Sequence, residues 1–523
     1  MVGVGGRSKG CKTCRRRRVK CGANSLTLQS SNASSLTTTD EAKPFCGRCD
    51  KAGIQCDGYV QFGEFVDLTQ QMVKKGSSNL DTPRPTPSIT KSASCGPNVI
   101  EVPPMPLIRN PSRDEQTIFS SHLIDRLFTW HEDPASPESA SWISALLLSS
   151  EDSGVLSFAS TRALATSYFA KTHSHSDLMR KGAGFYSLAL NTLRSQLQDP
   201  DLVFQDNMLI AIICMAMYEL VTYHQPTGWL HHYRGLARLT FIRGPFRHQS
   251  GVAFSMLPML RSCILLGYLV QRKHCFLETP EWKTIPWERV GLHQKLPLDN
   301  LHDILCDIPG YLEDLDNLGN WPSGRTGKEV FLASVRKRIF TSLESLHSWR
   351  WEWEKDFPAS TYTISPNGLD PETSRPLPPS PFQSVIWFVN SYRANELMTY
   401  NAIRLILTRS LELSGLNPEV ANTTIASDPL LPKEGTRHDV AIEICRMVDY
   451  HLHCFRRSSG AFMIIFPLNV AYLHLDEDTY GIKPWLESVM DLVADTHGFE
   501  IGRRENMPRQ TANLRSHCHP KQD

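Results

Sequence analysis

Cys11, Cys14 and Cys21 are spaced C-x2-C-x6-C, and Cys46, Cys49 and Cys56 repeat that spacing. Thiolate is among the best ligands for zinc, which takes four donors in a tetrahedron. Six cysteines around one ion leave two thiols over, whereas two ions call for eight bonds. The larger count closes when two cysteines each bridge both metals. The duplicated spacing points to Cys11 and Cys46, the leading residue of each half. C-x2-C turns the chain back within one ligand site, and a short helix then carries the third cysteine round. Val19 and Ile54, each two residues before the last cysteine of its half, are expected to pack together as a minimal apolar core. A zinc ribbon is the competing module, but it would leave the third cysteine of each half unexplained.

Between Cys14 and Cys21 the chain reads Arg15, Arg16, Arg17, Arg18, Val19, Lys20. The matching stretch of the second half, Asp50 to Gln55, has no net charge. The first half is therefore expected to face a polyanion and the second to brace it. Residues 1–60 hold 11 Lys and Arg against 4 Asp and Glu, a net +7, while the rest of the chain stands at −6. The overall +1 hides this asymmetry of a basic head on a mildly acidic body, the pattern of a nucleic-acid binder with a separate regulatory part. A solvated face or a nuclear-import signal is the plainer reading of the basic run, and import is compatible with binding.

The stretch Lys12 to Lys20, with Pro44-Phe45-Cys46-Gly47-Arg48-Cys49, resembles the fungal Zn2Cys6 binuclear cluster. The resemblance implies two Zn2+ ions held by the six cysteines, a pair of short helices, and a first helix in the major groove of double-stranded DNA reading CGG-like triplets. It places Arg17 and Arg18 where bases are contacted, and Arg15 and Lys20 where phosphates are. An arginine can donate to guanine O6 and N7 together. Arg16 is expected to point away from the groove. The implied protein is a nuclear transcription regulator, with a homodimer and co-regulators among its expected partners.

One departure stands out. Twenty-four residues separate Cys21 from Cys46, a longer loop than the family pattern has. The excess is one uncharged Ser/Thr/Asn-rich block, Gly22 to Thr39, without which a six-residue loop remains. It reads either as a flexible insertion or as an intron translated in frame. Lengthening the loop fourfold costs about 1.2 kcal/mol of closure entropy, against about 10–16 kcal/mol from structural zinc. The metal wins, although a long loop could shield the DNA face. An interaction protein whose cluster no longer reads DNA is thus the alternative function.

Residues 61–113 read as a linker. Phe62, Phe65, Thr69 and Met72 fit a heptad seam for barely two heptads, too few for a coiled coil, and proline-rich stretches follow. From 114 to 498 the periodicity is helical almost throughout, which predicts a large all-α body; 499–523 is a polar tail. Gly228 to Arg238 with Arg243-Gly244-Pro245 resembles the fungal-specific transcription factor regulatory domain, and Glu443 to His453 with Phe466-Pro467-Leu468 does so more loosely. The simplest role for Trp229 and its neighbours is core packing. The long segments expected to be helical are 208–223, 328–353, 384–413, 438–455 and 484–497.

Other chemistry finds little support. Eight further cysteines are scattered without spacing, no secretory leader is apparent, and the longest apolar run, Met208 to Tyr218, is about half the length that crosses a bilayer. A reduced, intracellular, membrane-free protein is expected, with thiols available for metal. Gly3 to Lys9 lacks the G-K-[ST] of a phosphate loop, and neither G-x-S-x-G nor H-E-x-x-H occurs. His173 with His175, and His451 with His453, suit a surface or a core better than a metal. No catalytic residues are expected.

Overall fold

The computed structural model describes residues 12–17, 49 and 52–54 near the N-terminus, and then 111–128, 154–199, 202, 204–322, 326–366, 369, 374, 379–416, 436–453, 456–475 and 481–506. The chain divides into two compact units, Met1–Pro104 and Met105–Asp523. In the first unit the described structure is helix α1 (Lys12–Arg16) and a turn around Cys49.

The second unit is mostly helical with few strands, as the periodicity predicts. Its first half comprises α2 (Pro111–Leu127), α3 (Val155–Thr172), α4 (Ser176–Gln196), α5 (Asp206–Thr222) and α6 (Gly228–Arg243). Helix α5 is apolar all round, and each residue from Met208 to Val221 is buried. It packs against α3 and α6, while α3 also lies against α4 and α2. Gly182 of α4 makes one close approach possible, because a Cβ there would sit 2.0 Å from Ser167 Oγ. Trp229, Tyr233, Leu236, Leu239 and Thr240 of α6 are all buried. The indole of Trp229 donates to the Pro226 carbonyl at 3.1 Å. This is core packing, and the helix stops where Gly244 takes φ 74° ahead of Pro245.

Next come α7 (Gly251–Ser255), α8 (Leu257–Gln271), α9 (Pro280–Thr284), α10 (Pro297–Leu305), α11 (Ile308–Gly319) and the long α12 (Lys328–Asp356). Helix α12 lies along α10, α11 and α13 (Ser391–Leu413). The remaining helices are α14 (Arg437–Arg446), α15 (Val448–Leu452), α16 (Arg457–Tyr472) and α17 (Ile482–Asp495).

Two segments differ from the helical expectation. Val385–Phe388, placed in a helix from 384, is strand β2, paired antiparallel with β1 (Thr361–Ile364) in the register Thr361↔Phe388 and Ile364↔Val385. All four residues of β2 are buried, so the alternation that marks a half-exposed strand is missing. The helix itself begins after Asn390, whose side chain accepts from Arg393 N at 3.0 Å. The segment 438–455 is also not one helix, because it breaks at Met447 into α14 and α15. At the far end the packing continues past residue 498. Phe499 and Ile501 are buried, and Lys171 pairs with Glu500 at 2.6 Å. No helix among the described residues is long and apolar enough to cross a membrane.

Candidate metal centre and nucleic-acid interface

Of the six cysteines in the duplicated pattern, the described residues include Cys14 and Cys49, the second of each half. They lie 35 residues apart in sequence, yet their sulfurs are 3.8 Å apart. Both are buried, with 1% and 0% of their surface exposed. A disulfide bond is about 2.05 Å, so these thiols are not bonded to each other. The two thiols therefore fit a metal by donor chemistry and burial, and their contact brings the two halves of the cysteine pattern together. Cys11, Cys21, Cys46 and Cys56 lie outside the described residues. Within those residues no group of three or more His, Cys, Asp or Glu is gathered for a metal.

Local structure explains how the two cysteines meet. Cys14 sits in the middle of α1, and Arg17 N donates to Thr13 O at 3.1 Å, which carries the helical turn into the basic run. Thr13 is buried beside it at 1% exposure, a position to which the sequence pattern drew no attention. At the other half, Ile54 N donates to Cys49 O at 3.0 Å across Gly53, which has φ +62°. That long backbone bond over a left-handed glycine is the usual way to end a helical turn. It reverses the chain just after Cys49. Ile54 comes out of the reversal 37% exposed, so the expected packing of Ile54 in a small apolar core does not hold. Its proposed partner Val19 lies outside the described residues.

Arg16 and Arg17 are exposed. Arg15 belongs to α1, whereas Arg18 and Lys20 lie outside the described residues, as does the block 22–39. The histidine pairs behave as surface and core groups. His173 and His175 are exposed, and His175 caps α4 by accepting from Leu178 N at 3.4 Å. His451 and His453 are buried, and burial, with Arg456 nearby, pushes His451 well below the ordinary histidine range.

Comparison with known proteins gives two partial relatives, both from Emericella nidulans. One is an uncharacterised protein, 29% identical over 141 residues, which are 27% of this chain and 30% of the relative. The other, the aspercryptin biosynthesis cluster-specific transcription regulator atnN, is 39% identical over 92 residues, 17% of this chain and 12% of the relative. The chain thus covers less than a third of the length of either relative. No family model matches, and no solved structure does. One partial relative is therefore a transcription regulator by name.

Proposed function

We propose that this chain is a nuclear, sequence-specific DNA-binding transcription regulator whose head holds two zinc ions and reads a CGG-like triplet. The observation that carries the reading is the buried contact between Cys14 and Cys49. It joins two copies of one cysteine pattern, and the first copy bears the basic run. The partial likeness to a transcription regulator supports the same class. Cys11, Cys14, Cys21, Cys46, Cys49 and Cys56 would hold the metal, with Cys11 and Cys46 shared between the ions. Bound zinc supplies a rigid cross-link that a segment this short cannot obtain from an apolar core.

On the duplex, Arg15 and Lys20 take phosphate oxygens, and Arg17 and Arg18 take guanine edges. Binding to a duplex containing CGG should weaken steeply with salt. Arg18→Ala should lose preference for CGG over random duplex by about 1–3 kcal/mol, while Lys20→Ala weakens both alike. A gel shift with and without chelator tests the proposal. Chelator-sensitive binding supports it. Zinc-loaded protein that ignores every CGG duplex would favour the interaction protein whose 22–39 block covers the reading face.

A further inference from the structure

Between Glu219 and Glu278 the chain carries no Asp or Glu, although the body as a whole is mildly acidic. Four cations of this stretch find acids in other elements. Arg243 pairs with Asp206, Arg261 with Asp303, Arg272 with Asp316 and Lys273 with Glu313. The other three, Arg234, Arg238 and Arg247, are exposed and make no ion pair among the described residues. Their neighbours are neutral: Arg234 donates to Gln271 Oε1 at 2.6 Å, and the guanidinium of Arg247 lies 4.7 Å over the ring of Phe204. Their charge stays available to a partner.

The same three arginines border apolar side chains that water also reaches. Arg234, Arg238, Phe241 and Ile242 recur at three- and four-residue steps along α6 and share one face. Phe241 is 50% exposed and Ile242 45%, and Phe246, in the turn Pro245–His248 packed against α6, is 66% exposed. The ring of Phe241 rests edge-to-face on Phe276 at 5.4 Å, which holds it in place at the surface. Exposed apolar groups set between charged ones form an apolar centre with a polar rim, the layout of a protein-docking surface. The charge narrows the occupant. Two copies meeting here about a two-fold axis would set arginine against arginine. A nucleic-acid strand would use the arginines and stack on the rings but leave aliphatic Ile242 unused. An acidic amphipathic helix satisfies both sets, since its apolar residues recur at the steps of α6 and its carboxylates meet the guanidiniums.

We propose that this face of α6 docks an acidic amphipathic helix of a partner protein, with apolar side chains on Phe241, Ile242 and Phe246 and carboxylates on Arg234, Arg238 and Arg247. The face lies wholly in the helical body, so its occupancy depends on neither zinc nor DNA. Fluorescence anisotropy on the full chain tests it, with a labelled synthetic helix that carries Leu and Phe on one face and Asp and Glu beside them. The peptide should bind with a Kd of about 1–100 μM, more weakly as salt rises. The same peptide with Asn and Gln in place of the acids should lose at least about tenfold. Phe246→Ser, and the double variant Arg238→Glu with Arg247→Glu, should each lose about tenfold for the acidic peptide. Both should keep the parent's thermal transition, because the replaced side chains are exposed. Val330→Ser, at an exposed apolar position on α12, should bind like the parent. No binding up to about 1 mM, or equal binding by the neutral peptide or by these variants of the face, would overturn the assignment. So would tighter binding of phosphatidylserine vesicles or single-stranded DNA than of the peptide, or a self-association that Phe246→Ser abolishes.

Discussion

The cysteine head and the helical body solve the problem of holding a shape in opposite ways. The body buries whole helices. Helix α5 is enclosed on every side, and Trp387 of β2 is fully buried, with edge-to-face contacts to Tyr450 at 5.2 Å and His453 at 5.5 Å. Among the described residues of the head, those buried are Thr13, Cys14 and Cys49, and the one large apolar residue, Ile54, is exposed. A unit of that size cannot hide enough surface to fold on burial alone. The two regions should therefore fail under different insults.

The largest contrast is metal removal. Structural zinc contributes about 10–16 kcal/mol in small modules. Chelation should therefore abolish DNA binding while leaving the body's thermal transition and helical circular dichroism in place. A body that melts along with the head would break the contrast. The reverse experiment is Trp387→Ala, which should cost the body about 3–5 kcal/mol. Zinc content should stay at its original value. Loss of zinc in that variant would mean that the units depend on one another.

Acid sharpens the comparison further. Burial, with Arg243 beside His248 and Arg261 beside His302, lowers their pKa values to about 4 and about 3. The unfolded chain protonates such residues near pH 6.5, so between pH 6.5 and about 4 it binds more protons than the folded body does. Their contribution to stability is complete above pH 6.5 and declines as pH falls, by about 1.4 kcal/mol per pH unit for each histidine. Urea midpoints measured from pH 7 to 5 should show this decline, and His302→Gln should reduce the slope. A flat profile would contradict the assignment. The smallest effect expected is at α14, where Thr436 Oγ1 accepts from Asp439 N at 3.3 Å and Thr436 N donates to Asp439 Oδ2 at 2.6 Å. Thr436→Ala should cost about 1 kcal/mol, read as a small downward shift of the body's melting temperature with zinc unchanged.

How far each region could be read from its residues follows from the same contrast. Helical periodicity and stop signals are local, so Met208–Val221 and the end of α6 at Gly244-Pro245 were legible in the sequence. Strand β2 was not, because Val-Ile-Trp-Phe buried on both faces has no alternation; the signal available was its β-branched and aromatic content just ahead of Asn390. Nor could the sequence tell which charges go inside. Arg261 is 1% exposed because it meets Asp303, 42 residues away, a pairing that no short window contains. In the head, spacing alone brought Cys14 and Cys49 into one proposed centre, and the structure sets their sulfurs in contact. It gave no warning that Ile54 would leave the Gly53 reversal facing outward. Buried Thr13 was missed because attention falls on the arginines that follow it.

The account rests most heavily on both cysteine triplets sharing one metal centre. Elemental analysis of the purified full chain, set against its protein concentration, tests this directly. The prediction is about two zinc ions per chain, falling when Cys14 or Cys49 is replaced by serine. A metal-free chain, or a single ion indifferent to both replacements, would contradict it.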